Sequence, residues 1–249
     1  MSDIKWCINY LKEYNHISDL PPSNDEDLFR MLQNITMPIN LSDEFYLKQG
    51  NVLKDILSKK EIIDVKELKP IDDRIYLYKG DITLLKADAI VNACNSKMLG
   101  CFVPGHHCID NAIHSFSGLE VRRDMFDIMN KQGHDEENGK CKVTKAYNLP
   151  SKYIFHTVGP IYTGIRRNDI DLESCYLSCL KKAEEMHLDS IVFCSLSTGV
   201  FGFPIDKASL IAYKTVKNFL KNNKSIKQVV FNVFSNNDYN VYYKTIKNN

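Results

Sequence analysis

The sequence predicts an α/β protein, a sheet with helices on both faces, preceded by a small helical extension. Three observations predict it. From Ile71 onward, short apolar β-rich runs alternate with stretches whose apolar residues recur at helical spacing. Buried strands between amphipathic helices imply a sheet covered on both sides. Residues 1–70 show helical spacing only, broken by prolines.

The extension comes first in the chain. Asp3 to Tyr14 and Asp25 to Gln33 read as helices separated by Leu20-Pro21-Pro22-Ser23. Ser23, with Glu26 and Asp27 behind it, reads as the second helix start. Pro38 breaks the following segment, and Ser42 to Lys59 is helical again. No chemistry is evident in this part.

The main part begins with Ile75-Tyr76-Leu77-Tyr78, a β-rich run closed by Gly80-Asp81. Ala89-Ile90-Val91 is an apolar strand ending at Asn92. Ile109 to His114 and Leu119 to Asn130 read as helix. Ala146 to Leu149 and Tyr153 to Val158 read as strands around Pro150. Leu172 to His187 is helical, Ser190 to Ser195 is a buried strand, and Ile205 to Leu220 is helical after a glycine loop. Gln228 to Val233 is the last strand, and Tyr239 to Ile246 closes the chain as a helix. Ligands of such sheets bind outside the carboxyl ends of the strands. Four polar segments should therefore converge: Gly80-Asp81, Asn92 to Asn95, Thr198 to Gly202, and Ser235 to Asp238.

Composition narrows the class. The chain has 249 residues, 44% hydrophobic and 25% charged, with a net charge of +1. That balance lacks the positive field of a general nucleic-acid binder. No basic n-region with an apolar run opens the chain, and no stretch approaches the ~20 apolar residues of a spanning helix. The chain reads as cytoplasmic, with neither nucleic acid nor membrane as a partner. Five of its eight cysteines, Cys7, Cys141, Cys175, Cys179 and Cys194, read as buried small hydrophobes.

Three constellations remain. Ser197-Thr198-Gly199-Val200-Phe201-Gly202-Phe203-Pro204 follows a strand and precedes a helix. It is either an anion cradle of backbone N–H groups or an ordinary strand-to-helix turn. Val91-Asn92-Ala93-Cys94-Asn95-Ser96 offers amides suited to sugar hydroxyls, or merely an Asn-stabilised turn. Cys101 to Cys108 is sharper, with two thiols and two imidazoles in eight residues. Zinc prefers such ligands in tetrahedral arrangement. Cys101, His106 and Cys108 fall as C-x4-H-x-C, with Pro104-Gly105 at the bend and His107 as the rival ligand. Three ligands leave an open catalytic position. A fourth ligand from Cys94, Cys141 or His114 would instead close a structural site. Asp110 then orients a ligand, polarises a water or caps a helix, and His156 reads as a core residue.

These motifs together resemble the macrodomains, ADP-ribose-binding modules. Gly80-Asp81-Ile82-Thr83, Ala89 to Ser96, Ile109 to His114, Tyr147 to Pro150, His156 to Pro160 and Ser197 to Pro204 match in order across residues 71–249. The segment Gly100 to Ile109 replaces the usual glycine run. With the helical residues 1–70, it makes the chain similar to the zinc-dependent macrodomains of bacteria. The resemblance implies a three-layer α/β/α macrodomain with a mixed central sheet over 71–249. It implies zinc on Cys101, His106 and Cys108, and removal of mono-ADP-ribose from modified, chiefly acidic, protein side chains. It places Asp81 and Ile82 at the adenine, and Asn92 and Asn95 at the distal ribose. It places Thr198, Gly199, Val200, Phe201 and Gly202 at the diphosphate, and Phe234 and Asn236 at the adenosine end. Asn95 and Asp110 are the implied catalytic residues. A lipoyl-carrier protein modified by a sirtuin-type transferase is an implied partner. A module that binds ADP-ribose without cutting it, with structural zinc, is the second expectation.

Overall fold

The computed structural model describes residues 1–249. The chain opens with three helices, α1 (Asp3–Tyr14), α2 (Asp25–Ile35) and α3 (Asp43–Ser58). Asn24, one residue later than the expected Ser23, caps α2: its side chain accepts from the Asp27 N–H at 2.9 Å. Asp25, Glu26 and Asp27 fill the first turn, where the helix dipole favours negative charge. Ser42 caps α3 through the Phe45 N–H at 3.1 Å. The apolar faces of the three helices bury Cys7, Leu11, Phe29, Leu32, Phe45 and Leu53 in a small core. Leu119 of the main part completes it.

The main part runs β1 (Ile63–Asp64), β2 (Ile75–Lys79), β3 (Leu85–Lys86), β4 (Ala89–Cys94), α4 (Ile109–Ser117), α5 (Leu119–Gln132), β5 (Cys141–Lys145), β6 (Tyr153–Val158), α6 (Arg166–Glu185), β7 (Ser190–Phe193), α7 (Ile205–Asn222), β8 (Gln228–Val233) and α8 (Asn236–Asn248). Six strands form one sheet in the order β2-β8-β7-β4-β6-β5. All neighbours are parallel except β5, which pairs antiparallel with β6, so the sheet is mixed. β1 and β3 form a separate two-stranded parallel pair. Every residue of β7 and β8 is buried, as expected of strands covered on both faces. The core is centred on Ile90, Val91, Phe155, Phe193, Val230 and Phe231.

Two sequence expectations need correction. Ala146 to Leu149 is a turn, not a strand: Tyr147 has φ 51° and the Ala146 N–H donates to the Lys152 carbonyl at 3.0 Å. The strand is the preceding Cys-Lys-Val-Thr-Lys, whose polar residues suit an edge with one open side. Helix α6 begins at Arg166 rather than Leu172. Its first turns are polar and held by an Arg167–Asp171 pair at 2.6 Å, which apolar periodicity does not register.

Candidate functional site

Strands β2, β8, β7 and β4 run parallel, so the segments after them gather at one edge of the sheet. After β2, Asp81 starts a short 3-10 turn, its Oδ1 accepting from the Thr83 N–H at 2.9 Å and the Thr83 hydroxyl at 2.7 Å. Ile82 is buried. The Gly80 N–H donates to the Val233 carbonyl at 3.0 Å and fastens this turn to the end of β8. There Phe234 is 82% exposed, a flat apolar face held in water. Asn236 opens α8 and accepts from Lys79 Nζ at 2.6 Å.

After β7, Ser197 and Gly202 take φ values of 63° and 67° and curl the chain into a loop. The Gly202 N–H donates to the Gly199 carbonyl at 2.9 Å, and the Phe203 N–H to the Ser197 carbonyl at 2.9 Å. The N–H groups of Thr198, Gly199, Val200 and Phe201 donate to no group of the protein. Free successive N–H groups before the start of α7 form an anion-receptive concavity. Gly159, just after β6, packs against this loop: a Cβ there would lie 2.1 Å from Ser197 Oγ and would force that hydroxyl to move.

After β4, Asn95 folds the following loop with its side chain. Its Oδ1 accepts from the Lys97 N–H at 3.0 Å and its Nδ2 donates to the Gly100 carbonyl at 3.2 Å. Gly100 has φ 84°, and a Cβ on it would stand 2.8 Å from the His114 ring. The ligand atoms of Cys101, His106 and Cys108 lie within 4.8 Å of one another. Cys101 Sγ is 3.5 Å from His106 Nδ1. A tetrahedral zinc with bonds of ~2.3 Å to sulfur and ~2.0 Å to nitrogen separates two such ligands by roughly 3.6 Å, so the residues fit that ion. His107 is exposed and lies outside the group, as do Cys94, Cys141 and His114. Cys108 also caps α4, its sulfur accepting from the Asn111 N–H at 3.3 Å.

A buried polar floor lies beneath. Asn92, expected at the distal ribose, has no exposed surface, and its Nδ2 donates to Asp110 Oδ1 at 2.8 Å. His156 Nδ1 is 3.3 Å from Asn92 Nδ2, and its Nε2 is 3.0 Å from Thr144 Oγ1. His156 is thus a satisfied core residue. Burial pushes it down to about 3. Burial likewise drives His114 well below the usual imidazole range, so both rings are neutral. Asp110 is 5% exposed, and burial pushes its carboxyl up to about 6 against the Asn92 hydrogen bond. Its Oδ2 accepts no hydrogen bond from the protein.

Four residues escaped the sequence reading: Arg30, Asn34, Asn111 and Arg122. All four hold the 99–108 loop by hydrogen bonds to backbone or to one another. Arg30 and Asn34 come from α2, and no local pattern in a helix reveals which distant backbone its polar residues meet.

Fold and loops together make this an α/β protein with a backbone N–H cradle after β7 and a Cys/His cluster on the loop after β4. The chain belongs to the macrodomain family. The Macro domain model matches residues 91–212. A protein-ADP-ribose hydrolase of Staphylococcus aureus is 45% identical, covering 96% of this chain and 93% of its own. The Oceanobacillus iheyensis macrodomain with MES bound superposes with a TM-score of 0.67 at 34% identity, covering 73% of this chain and 95% of its own. A Trypanosoma brucei macrodomain in complex with ADP-ribose gives 0.67 at 30% identity, covering 87% and 94%.

Proposed function

We propose that this chain is a zinc-dependent hydrolase that removes mono-ADP-ribose from modified protein side chains, chiefly acidic ones. The observation that carries this reading is the Cys101/His106/Cys108 cluster on the loop joining Asn95 to Asp110, at the sheet edge that also bears the N–H cradle. The Staphylococcus aureus relative, named a protein-ADP-ribose hydrolase and matching nearly end to end, supports the hydrolase part of the reading. In this reading the macrodomain spans residues 71–249 and the extension residues 1–70, with β1 of that stretch pairing with β3 and Val65 entering the main core.

The free N–H groups of 198–201 hold the diphosphate without a charged side chain. Asp81 accepts from the adenine amino group with the oxygen that Thr83 leaves free, and the Ile82 backbone lies beside it. Phe234 and Asn236 flank the adenosine end. Asn95 lines the distal ribose, and Asn92 acts from below by fixing the Asp110 carboxylate. Asp110 presents its unpaired Oδ2 to orient a water or assist proton transfer. Cys101, His106 and Cys108 would hold the zinc, which would supply Lewis acidity to the hydrolysis. The partner is a mono-ADP-ribosylated protein. A lipoyl-carrier protein modified by a sirtuin-type transferase is the candidate that the family resemblance suggests.

The test is a time course of ADP-ribose release from an acidic-linked mono-ADP-ribosylated protein, with and without zinc. Chelation and Cys101→Ala are each expected to abolish release. Full activity in verified zinc-free protein would remove the metal from the reading. Tight ADP-ribose binding with no release under any condition would make the chain a reader of the modification.

A further inference from the structure

We infer that helix α2 of the N-terminal extension is part of the metal site: Arg30 and Asn34 hold the 103–108 segment in its ligating shape, so the chain's affinity for zinc depends on the extension. This rests on the zinc reading above.

The loop has little holding it from within. Its one internal backbone hydrogen bond runs from the His106 N–H to the Val103 carbonyl at 3.2 Å. The other ties of residues 103–108 come from α2 and from the first turns of α4, while Asn95 and Arg122 hold Gly100 and Leu99 at the start of the loop. Arg30 Nη2 donates to the carbonyl of the ligand His106 at 3.0 Å, across 76 positions of chain. The same guanidinium donates twice to Asn111 Oδ1, at 2.8 Å from Nη2 and 3.2 Å from Nε. Asn111 passes this grip on: its Nδ2 donates to the Val103 carbonyl at 3.1 Å, and its N–H donates to the sulfur of the ligand Cys108 at 3.3 Å. One arginine therefore fixes the backbone of one ligand directly and the sulfur of another through a single intermediary.

Asn34 holds the bend between them. Its Oδ1 accepts from the Gly105 N–H at 2.9 Å, across 71 positions, and its Nδ2 donates to Ser115 Oγ at 2.8 Å. Asn34 is 1% exposed, so this bond is made away from water and is not readily replaced by it. Gly105 has φ 65°, the conformation that turns His106 back toward Cys101. The hydroxyl of Ser115 closes the circuit on the Asn111 carbonyl at 2.7 Å. Helix α2 is itself anchored to the loop's other end, because Arg122 donates to Gln33, Asn34 and Thr36 carbonyls and to that of Leu99. A loop clamped at both ends and at its bend presents its three ligand atoms together before metal arrives. Hydrogen bonds of this kind to the residues that carry ligands govern metal affinity by roughly 10- to 100-fold.

The experiment measures zinc affinity and zinc release of the full chain by competition with a chromophoric chelator. Arg30→Met and Asn34→Leu are each expected to weaken zinc by about 10-fold and to speed its release. Arg30→Lys is expected to recover part of the affinity, since an ammonium reaches one acceptor but lacks the guanidinium fork. Glu44→Gln, on α3, is expected to bind zinc as the parent does. Wild-type affinity and release rate in both Arg30→Met and Asn34→Leu would overturn the inference. Should Asn34→Leu not fold, the half-buried Arg30 decides through its Met and Lys variants. Failure of the underlying zinc reading looks different: the parent itself holds no zinc, or Cys101→Ala holds it equally well.

Discussion

Arg122→Met is expected to destabilise the protein by about 3 kcal/mol. Arg122 lies on α5 with 1% of its surface exposed. Its Nη1 donates to the Gln33, Asn34 and Thr36 carbonyls at 2.8, 2.9 and 2.7 Å, closing the carboxyl end of α2. Its Nε donates to the Leu99 carbonyl at 2.7 Å, and its guanidinium lies 4.3 Å from the Phe102 ring centroid. Methionine fills similar space and donates nothing. Three N–H groups of a charged donor serve these four carbonyls, one of them shared, and at ~2 kcal/mol each amount to about 6 kcal/mol lost. Burying a cation costs several kcal/mol, and its removal returns about half of that loss. A second consequence has a fixed sign: the Arg122 charge helps to hold the Asp110 carboxyl down, so Asp110 should rise further without it. Urea unfolding measures the stability loss. In a thermal melt, ~3 kcal/mol corresponds to a fall of roughly 6–12 °C for a chain of this size. Arg122→Lys keeps the charge but not the fork, and should fall between parent and Met variant. A loss below ~1 kcal/mol in Arg122→Met would refute the view that this side chain joins α2 to the metal loop.

Three further outcomes follow from named contacts. Gly100→Ala is expected to cost about 2–4 kcal/mol, from its positive φ and from collision with the His114 ring 2.8 Å away; an unchanged melting temperature would count against the loop geometry. His156→Gln tests the buried neutral imidazole. Its folded-state value of about 3 lies below the unfolded 6.5, so between these the unfolded chain binds the extra proton and stability falls as pH drops. The stability margin of parent over His156→Gln should shrink by about 2 kcal/mol from pH 7 to pH 5, and a pH-independent margin would show that the ring is not held neutral. Asp81→Asn keeps the cap on Thr83 but can turn a donor toward the adenine amino group; calorimetry should find ADP-ribose bound roughly 10-fold more weakly, and parental affinity would move the adenine elsewhere.

Much of the fold was legible because its strands and helices declare themselves by period. Strand β8 and helix α1 have the bounds that the sequence reading gave them, and the bounds of α3 differ by one residue at each end. Where polar residues carry an element, periodicity is silent. The edge strand β5, Cys-Lys-Val-Thr-Lys, has three polar residues in five and shows no apolar run, whereas the more apolar Ala146 to Leu149 does, though a positive φ at Tyr147 turns it into a bend. The first turns of α6 were missed for the same reason.

The site divides along the same line. Spacing alone brought Cys101, His106 and Cys108 forward, since ligands within eight residues are bound to lie near one another. It leaves His107 as a rival to His106, and the tertiary structure separates them by turning His106 toward the two sulfurs and leaving His107 exposed. The sequence determined the family, the strand-end loops and the ligand chemistry, because those are written in contiguous motifs. Only the folded chain decided that Asn92 faces inward to Asp110, and that Arg30, Asn34 and Arg122 hold the metal loop. Hydrogen bonds across 18 to 76 positions leave no local period to read: their partners are chosen by how separate elements, those of the extension among them, pack together.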